Sequence, residues 1–562
     1  MSLHLYNTLS RELERFKPLR QDEVKIYYCG PTPYNYAHIG NLRAYLFSDF
    51  VIRTLRFLGY KVRTVMNITD IDDKTIRDSQ KSGKSLKEFT EFYANEFLSD
   101  LTKLHINHAD TISPISELIP DMGKMIQGLL DKGYAYLADD GSIYYSVSKF
   151  KKYGQLANLD MKGMISSVRI DNDEYEKDQV ADFALWKAYD KETDGENFWK
   201  IKLRVKSEKG KVTNNNTTPC VKTSQIGSNS SENREPQGVV SGNTTNEESE
   251  IGTGSTSISE VLLKGRPGWH IECSACNMRF FGAQIDIHMG GIDNLFPHHQ
   301  NEVAQTEAFT GKTFSKYWMH GGHLLVDNKK MAKSAGNFFT LRDIIEKYSN
   351  EVKTSQTGNI SEAIISRGFR LMALQNQYRE NFNFTFDRLG AAINTIKGLD
   401  EMMKRIGRYM DGLPESNDER SARGKLKFHE ISRDFRENQQ VFMQEFVDRL
   451  ENDFDTNSAM TVIFEYQSYI NRGIDEQAFR MEEMKSIIDL LRSWNEVISI
   501  LDFSLLESIE IIPKEIEALA VARIEAKNTK NWGEADKIRD EITSLGWKMI
   551  DEASGKWRVE KM

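Results

Sequence analysis

Residues 24–68, VKIYYCGPTPYNYAHIGNLRAYLFSDFVIRTLRFLGYKVRTVMNI, change their hydrophobic period twice. Val24–Tyr28 is a strand-like run that ends at the turn-rich Cys29-Gly30-Pro31-Thr32-Pro33. Beyond it, Leu42, Tyr45, Leu46, Phe50, Val51 and Leu55 recur at helical spacing, Gly59 stops the helix, and Lys61–Ile68 resumes strand character. This is a β-α-β unit, so the expected scaffold is an α/β domain on a parallel sheet, with ligands at the carboxyl ends of its strands. Cys29 stands at one such end. Between strand and helix, Gly40 lets the backbone come close to a ligand, and the helix N-terminus offers its N–H groups to phosphate. His38, in the same loop, can donate to a phosphate oxygen.

A second stretch, GRPGWHIECSACNMRFFGAQIDIHMGGIDNLFPHHQNE at 265–302, holds two of the four cysteines and ends in a carboxylate four residues after a histidine. On a helix, His298 and Glu302 at i,i+4 share a face. With Cys273 and the distant Cys29 they make two thiolates, one imidazole and one carboxylate, all ligand types that zinc accepts. Free cysteines are also often simply buried, and adjacent histidines are often polar surface. Cys273-Ser274-Ala275-Cys276 has the CxxC form of a zinc knuckle, but the chain has no second CxxC. Cys276 is therefore read as a packed thiol.

At 562 residues with 39% hydrophobic and 28% charged content, the chain has room for several domains and a large core. Four cysteines argue against a disulfide framework, and no apolar run approaches the roughly 18 residues of a membrane span. MSLHLYNTLSRELERF lacks the features of a secretory leader, so a cytoplasmic protein with no membrane partner is expected. The net charge of −9 does not favour nucleic acid, though a local basic face is compatible with it.

Residues 71–200 read as mixed helical segments with one strand near Gly141–Val147, and the acidic Asp70-Ile71-Asp72-Asp73 reads as charge at a helix N-terminus. From Val212 to Ser259 there is no Phe, Trp, Tyr, Leu, Met or Ala, so this stretch reads as a disordered insertion, with Cys220 an exposed thiol. Lys330-Met331-Ala332-Lys333-Ser334 brings two lysines three apart in a loop, a pairing suited to polyphosphate but also common on solvated surface. After Leu341 the pattern is mostly helical. The expected domains are a Rossmann-type catalytic domain (1–345) with a connective insertion at about 110–265, a helical junction (346–386), a helical bundle (387–510) and a small terminal domain (511–562).

Taken together and in order, PTPYNYAHIGN, NITDIDDK, GRPGWHIECSA, GGIDNLFPHHQNE and KMAKS closely resemble the cysteinyl-tRNA synthetases of class I. The resemblance covers nearly the whole chain except the 212–259 insertion. It implies one zinc ion per chain on Cys29, Cys273, His298 and Glu302, taking the thiolate of substrate L-cysteine. Zinc deprotonates a coordinated thiol and prefers sulfur to a hydroxyl, so the metal separates cysteine from serine without an editing domain. The resemblance further implies ATP, with Mg2+, as co-substrate. His38, Lys330 and Lys333 then stabilise charge on the phosphates, Gly40, Asn41 and Asp293 hold the nucleotide, and Gly30, Thr69 and Trp269 line the amino-acid pocket. The partner would be tRNA(Cys), read in part by the terminal domain through Trp532, Asp536 and Asp551, with Trp532 equally readable as a core residue. A monomer is expected. The chain departs from the usual pattern at Asn41, where histidine is frequent, at Ala332, where serine is usual, and at Gln300, where glutamate is common.

Three other readings compete. A ligase joining cysteine to a small amino sugar would need no long helical region after residue 387. A non-catalytic RNA-binding or regulatory paralogue would not need intact phosphate-contacting and metal-binding residues. A zinc hydrolase would need a general base beside the metal, and Glu302 cannot readily be both base and ligand.

Overall fold

The computed structural model describes residues 2–160, 165–170, 180–208, 256–332, 335–354, 360–413, 427–507, 513–551 and 557–561. Lys333 and residues 212–255 of the polar tract, Cys220 included, lie outside them. Contacts divide the chain into two units. The first comprises Met1–Leu341, Asn376–Phe384 and Asp448–Thr456; the second comprises Arg342–Gln375, Thr385–Val447 and Asn457–Met562. Among the described residues no helix is long and apolar enough to cross a membrane.

The first unit is built on five parallel strands, β1 (Val24–Tyr28), β2 (Val62–Ile68), β3 (Thr111–Pro114), β4 (Ile285–Gly291) and β5 (Ser315–Gly321), in the order β5-β4-β1-β2-β3. The chain leaves β1 in one direction toward β2 and β3, and returns on its other side through β4 and β5. That reversal opens a crevice beyond the carboxyl ends of β1 and β4, where open α/β sheets bind ligands. The connection from β1 to β2 is helix α1 (Ile39–Phe57), whose Leu42, Leu46, Phe50 and Leu55 are buried as their spacing requires. Gly59 ends it in the left-handed region, φ 84°. Asp72 caps the next helix, α2 (Asp73–Ser82), through a capping box with Thr75, so the acidic run serves a helix start.

The β3–β4 connection departs from expectation. It carries a second, largely antiparallel sheet of six strands, including Val180–Ala188, Trp199–Glu208 and Thr256–Pro267, where the sequence reading has only the strand near Gly141–Val147 among the mixed helical segments of 71–200. The alternation that marks such strands is present in Ile201 and Leu203, both buried between exposed Lys200, Lys202 and Arg204. Residues 256–259, assigned from composition to the polar insertion, pair with Val205–Glu208 as one end of a hairpin. Main-chain pairing with a neighbouring strand orders them where their own side chains offer little to bury.

A smaller sheet pairs Leu324–Val326 with Lys329–Lys330 and with Phe382–Phe384. Asp327 and Asn328, at φ 50° and 59°, close its hairpin, two left-handed residues matching a type I′ turn. Lys330 is therefore on a strand and not in the loop the sequence suggested, and residues 382–384, expected in a helical junction, are also strand.

The second unit is helical. Glu362–Leu374 packs on Phe386–Asp411, with Arg367 held by Asp400 at 2.5 Å and by the Ile500 carbonyl. Arg370, fully buried, donates to the carbonyls of Val497 and Ile498 at the end of Met481–Ile498. At the carboxyl end, helices Lys514–Asn528 and Trp532–Ser544 and the strand pair Trp547–Asp551 and Trp557–Lys561 enclose a local core of Ile516, Ala520, Ile538, Ile542, Trp547, Met549 and Val559.

Asp286 fixes the amino ends of the two strands that frame the crevice. Its carboxylate on β4 accepts from the main-chain N–H of Lys25 on β1 at 2.8 Å and of Leu19 at 2.5 Å. Replacing it by alanine leaves both donors without that acceptor. Asp286→Ala is expected to destabilise the first unit by about 2 kcal/mol, read as an earlier urea transition, and Asp286→Asn to lose less.

Candidate functional site: a four-donor cluster at the sheet crevice

Cys29 follows β1 directly, in the turn that enters the crevice. Gly30 makes that turn possible: its N–H donates to Asn67 Oδ1 at 2.8 Å, and a Cβ at this position would stand 1.5 Å from the Asn67 carbonyl oxygen. Asn67 Oδ1 also accepts from the Tyr27 hydroxyl at 2.9 Å, and Asn67 Nδ2 donates to Thr69 at 2.9 Å. Asn67 thus ties the ends of β1 and β2 together. Sequence reasoning passed over it, although it opens the NITD run.

The other three donors come from two helices. Helix α4 (Trp269–Phe280) buries Cys273, and α5 (Gln300–Thr310) carries Glu302, preceded by a π-helical turn, Leu295–His299, that presents His298. His298 Nε2 lies 3.1 Å from Glu302 Oε1 and 3.3 Å from Cys273 Sγ, while Cys29 Sγ lies 3.9 Å from Cys273 Sγ and 3.8 Å from Glu302 Oε1. Ligands placed tetrahedrally around one zinc stand about 3.3–3.8 Å apart, given metal–ligand bonds of about 2.0–2.3 Å. The observed separations bracket that range, so the residues present fit the ion.

Electrostatics agree. Burial pushes the Cys273 thiol up, but its hydrogen bond with Cys29 and the neighbouring His298 prevail and bring it to about 6. Burial likewise opposes ionisation of Glu302, yet His288 and His298 hold it at about 2. His298 is raised to about 10, burial notwithstanding, by Cys273 and Glu302. Cys29 is pushed well above the thiol range by its hydrogen bond with Cys273 and by burial. The cluster is an electron-rich pocket that draws positive charge.

A layer of histidines backs it. His288 Nε2 takes the second oxygen of Glu302 at 2.9 Å, and His298 Nδ1 meets His270 Nδ1 at 3.1 Å. His299 stands 3.5 Å from Cys29 Sγ and hands on to His320 at 2.8 Å, which reaches Thr8 at 2.9 Å. All five are buried, so the polar-surface alternative weighed for the adjacent pair His298 and His299 does not apply. Their signal in sequence was number: five histidines fall between 270 and 320, in a chain with eleven. Cys29, His288, His299 and Glu302 also approach one another within 4.8 Å. The first set opens on the cavity through three members, Cys29, Cys273 and His298, and the second through the shared Cys29 alone.

That cavity, about 480 Å³, is of the size of small-molecule sites. It is lined by Gly30, Thr69, Trp269, Gly40, Asn41, Asp293, His38 and Lys330, so every described residue expected around the amino acid and nucleotide faces one space; Lys333 lies outside the described residues. The Trp269 ring stacks on His298 at 4.2 Å, and Thr69 is buried with its N–H on the Pro31 carbonyl. His38 caps α1, its Nδ1 accepting from Asn41 N–H at 3.2 Å, which leaves the ring proton of the neutral form on Nε2. Gly40 is hemmed in by Met331 and by the His38 ring, and Asp293 meets His323 at 3.2 Å. Asn337 holds the Lys330–Ala332 segment by accepting from Ala332 N–H and donating to the Lys330 carbonyl. Gln300 points elsewhere, accepting from Ala157 N–H. Cys276 belongs to neither donor group.

Comparison with known proteins decides what this arrangement belongs to. Residues 15–203 and 248–394 match the family of class I (C) tRNA synthetase catalytic domains, and residues 445–502 match the DALR domain. Over 572 residues, covering the whole of both chains, the sequence is 39% identical to the cysteine–tRNA ligase of Chlamydia muridarum. It is 35% identical to that of Protochlamydia amoebophila, covering 98% of this chain and 97% of that one. The chain belongs to the cysteine–tRNA ligases, enzymes of the class I aminoacyl-tRNA synthetase family. The fold is also similar to a LeuRS chain from Agrobacterium radiobacter solved in a ternary complex (TM-score 0.54, 11% identity, 88% of this chain and 86% of that one).

Of the residues expected at tRNA, Trp532 is exposed at 59%, which removes its reading as a core residue, and Asp536 pairs with Arg539 at 3.1 Å. Asp551 ends the strand Trp547–Asp551.

The tight turn at Gly30 yields a test. Gly30→Ala is expected to destabilise the first unit by about 1–3 kcal/mol, seen as a lower urea midpoint. Gly291→Ala, whose Cβ would meet nothing within 4 Å, is expected to leave it unchanged.

Proposed function

We propose that the chain activates L-cysteine with ATP and transfers it to the 3′ end of tRNA(Cys), choosing its amino acid by the thiol. The observation that carries this reading is the cluster of Cys29, Cys273, His298 and Glu302 at the floor of the cavity, with separations suited to one zinc ion. A zinc ion there supplies a soft Lewis acid that takes a thiol as its thiolate and leaves serine poorly bound. Trp269 and His270 fix the His298 ring, and His288 fixes the Glu302 carboxylate, as partners of metal ligands generally do.

A cysteine whose thiol met this cluster would direct its carboxylate toward the part of the cavity lined by His38, Gly40 and Lys330. Its oxygen attacks the α-phosphorus of ATP, the bond to the bridging oxygen breaks, and pyrophosphate leaves with Mg2+. His38 donates from Nε2 to the phosphates, and Lys330, with Lys333, neutralises the charge that develops there. These residues position and stabilise without forming a covalent intermediate. Asp293 accepts from the ribose hydroxyls, and Gly40 and Asn41 bring the start of α1 to the nucleotide. In the second step a hydroxyl of the terminal ribose attacks the carbonyl carbon and AMP leaves. Trp532, Asp536 and Asp551 serve tRNA recognition at the far end of the chain. We assign the expected domains to these tasks: 1–345 to catalysis, 346–386 and 387–510 to connection, 511–562 to the anticodon. We further propose a cytoplasmic monomer.

Pyrophosphate exchange into ATP without tRNA tests the activation step. Exchange is expected with cysteine and not serine, and to vanish on chelation; exchange with serine at a similar rate would refute thiol selection. The ligand set is tested by metal analysis. Cys273→Ala is expected to lose zinc and Cys276→Ala to keep it, and equal loss in both would refute the assignment.

A further inference from the structure

The cavity takes an amino acid and a nucleotide, but a tRNA ligase must also admit the single-stranded end of a polyanion. One side of its mouth is unusually aromatic. Tyr34, Tyr36 and Tyr93 line the cavity, and Tyr36 and Tyr93 meet edge to face at 5.4 Å. Both continue outward to Phe92, at 6.4 Å from Tyr36 and 5.1 Å from Tyr93. Phe92 and Tyr93 belong to helix α3 (Leu86–Lys103), and Phe92 leaves 42% of its surface exposed. The buried Phe89 props Tyr93 from below at 5.1 Å. Packing accounts for Phe89; it does not account for an exposed phenylalanine continuous with a catalytic cavity.

Charge accompanies the rings. Lys84 Nζ lies 5.3 Å from the Phe92 ring centre and Lys74 Nζ 5.7 Å from that of Tyr34. Glu88, near Lys84 in sequence, is engaged by Ser85 in the capping box of α3. In a chain of net charge −9, aromatic faces set beside lysines in a line from solvent into the cavity match the chemistry that holds unpaired nucleotides, base on ring and phosphate on cation.

We propose that Phe92, Tyr36 and Tyr93, with Lys84 and Lys74, form a stacking track that guides the single-stranded 3′ end of the tRNA to the cavity. The track rests on membership of the tRNA ligases and not on the zinc or activation chemistry, so the two can fail separately.

The test is equilibrium binding of a 5′-labelled tRNA(Cys) transcript and of the same transcript lacking its last four nucleotides. The unmodified protein is expected to bind the intact transcript more tightly. Phe92→Ala is expected to weaken the intact transcript about tenfold, the equivalent of about 1.4 kcal/mol, and the shortened one less than about twofold. That loss lies within the range of one stacked base. Lys84→Ala is expected to act in the same selective direction, and Phe92→Tyr, which keeps the ring, to restore tight binding. Equal weakening of both transcripts by Phe92→Ala, no weakening of the intact one, or equal affinity of the unmodified protein for both would overturn the proposal.

Discussion

A fully buried carboxylate must be matched on both oxygens, and that requirement at Glu302 organises the centre of the molecule. His298 takes one oxygen and His288 the other, from the π-helical turn and from β4 respectively. The match is not local. His288 lies on the strand that pairs with β1, and β1 delivers Cys29; His298 reaches Cys273 on α4, which the second sheet precedes in the chain. Because each group keeps its charge state only while the others are in place, the crossover connection, two helices and two central strands answer to a cluster a few ångströms wide. The same coupling sets the Cys273 thiol, whose hydrogen bond with Cys29 and neighbouring His298 outweigh burial and bring it to about 6.

Much of this was legible because it rests on local period and on ligand chemistry. Residues 24–68 switch from strand to helix and back, and the fold follows. His298 and Glu302 at i,i+4 meet as a helical face predicts, although the turn carrying His298 is π-helical. What stayed hidden depends on distant partners. Nothing near Asn67 says that its side chain will cross to Gly30, and the histidines at 270, 288, 299 and 320 become one layer only once β4, β5, α4 and α5 are packed. The strand Trp199–Glu208 was not hidden in this way: the alternation of Ile201 and Leu203 with Lys200, Lys202 and Arg204 is a strand pattern present in the sequence and left unread.

The departures from the family pattern separate by position. Gln300 sits in the helix that carries Glu302 but turns to the Ala157 backbone, so a change from glutamate there alters packing and charge behind the site, not its donors. Asn41 lines the cavity through the start of α1, where its main-chain N–H, common to any residue, binds His38. Ala332 likewise contributes its N–H to Asn337, a contact that does not depend on a serine hydroxyl. In both places the backbone carries the geometry and the side chain is left free to vary.

The CxxC at Cys273–Cys276 shows how secondary structure overrules a motif. In a zinc knuckle the two thiols converge because a tight turn folds the backbone between them. Here the four residues lie within α4, and the helix settles which thiol can act. Cys273 turns toward Cys29 and His298. Cys276, one helical step on, is enclosed, and burial followed by the charge of Cys273 pushes its thiol far above the ordinary range. What separates the two is reach: Cys273 stands among the donors of the cluster, and Cys276 belongs to neither donor group. The second cysteine of the pair is accordingly core, and the two ligands that complete the set come from the residues that follow β4.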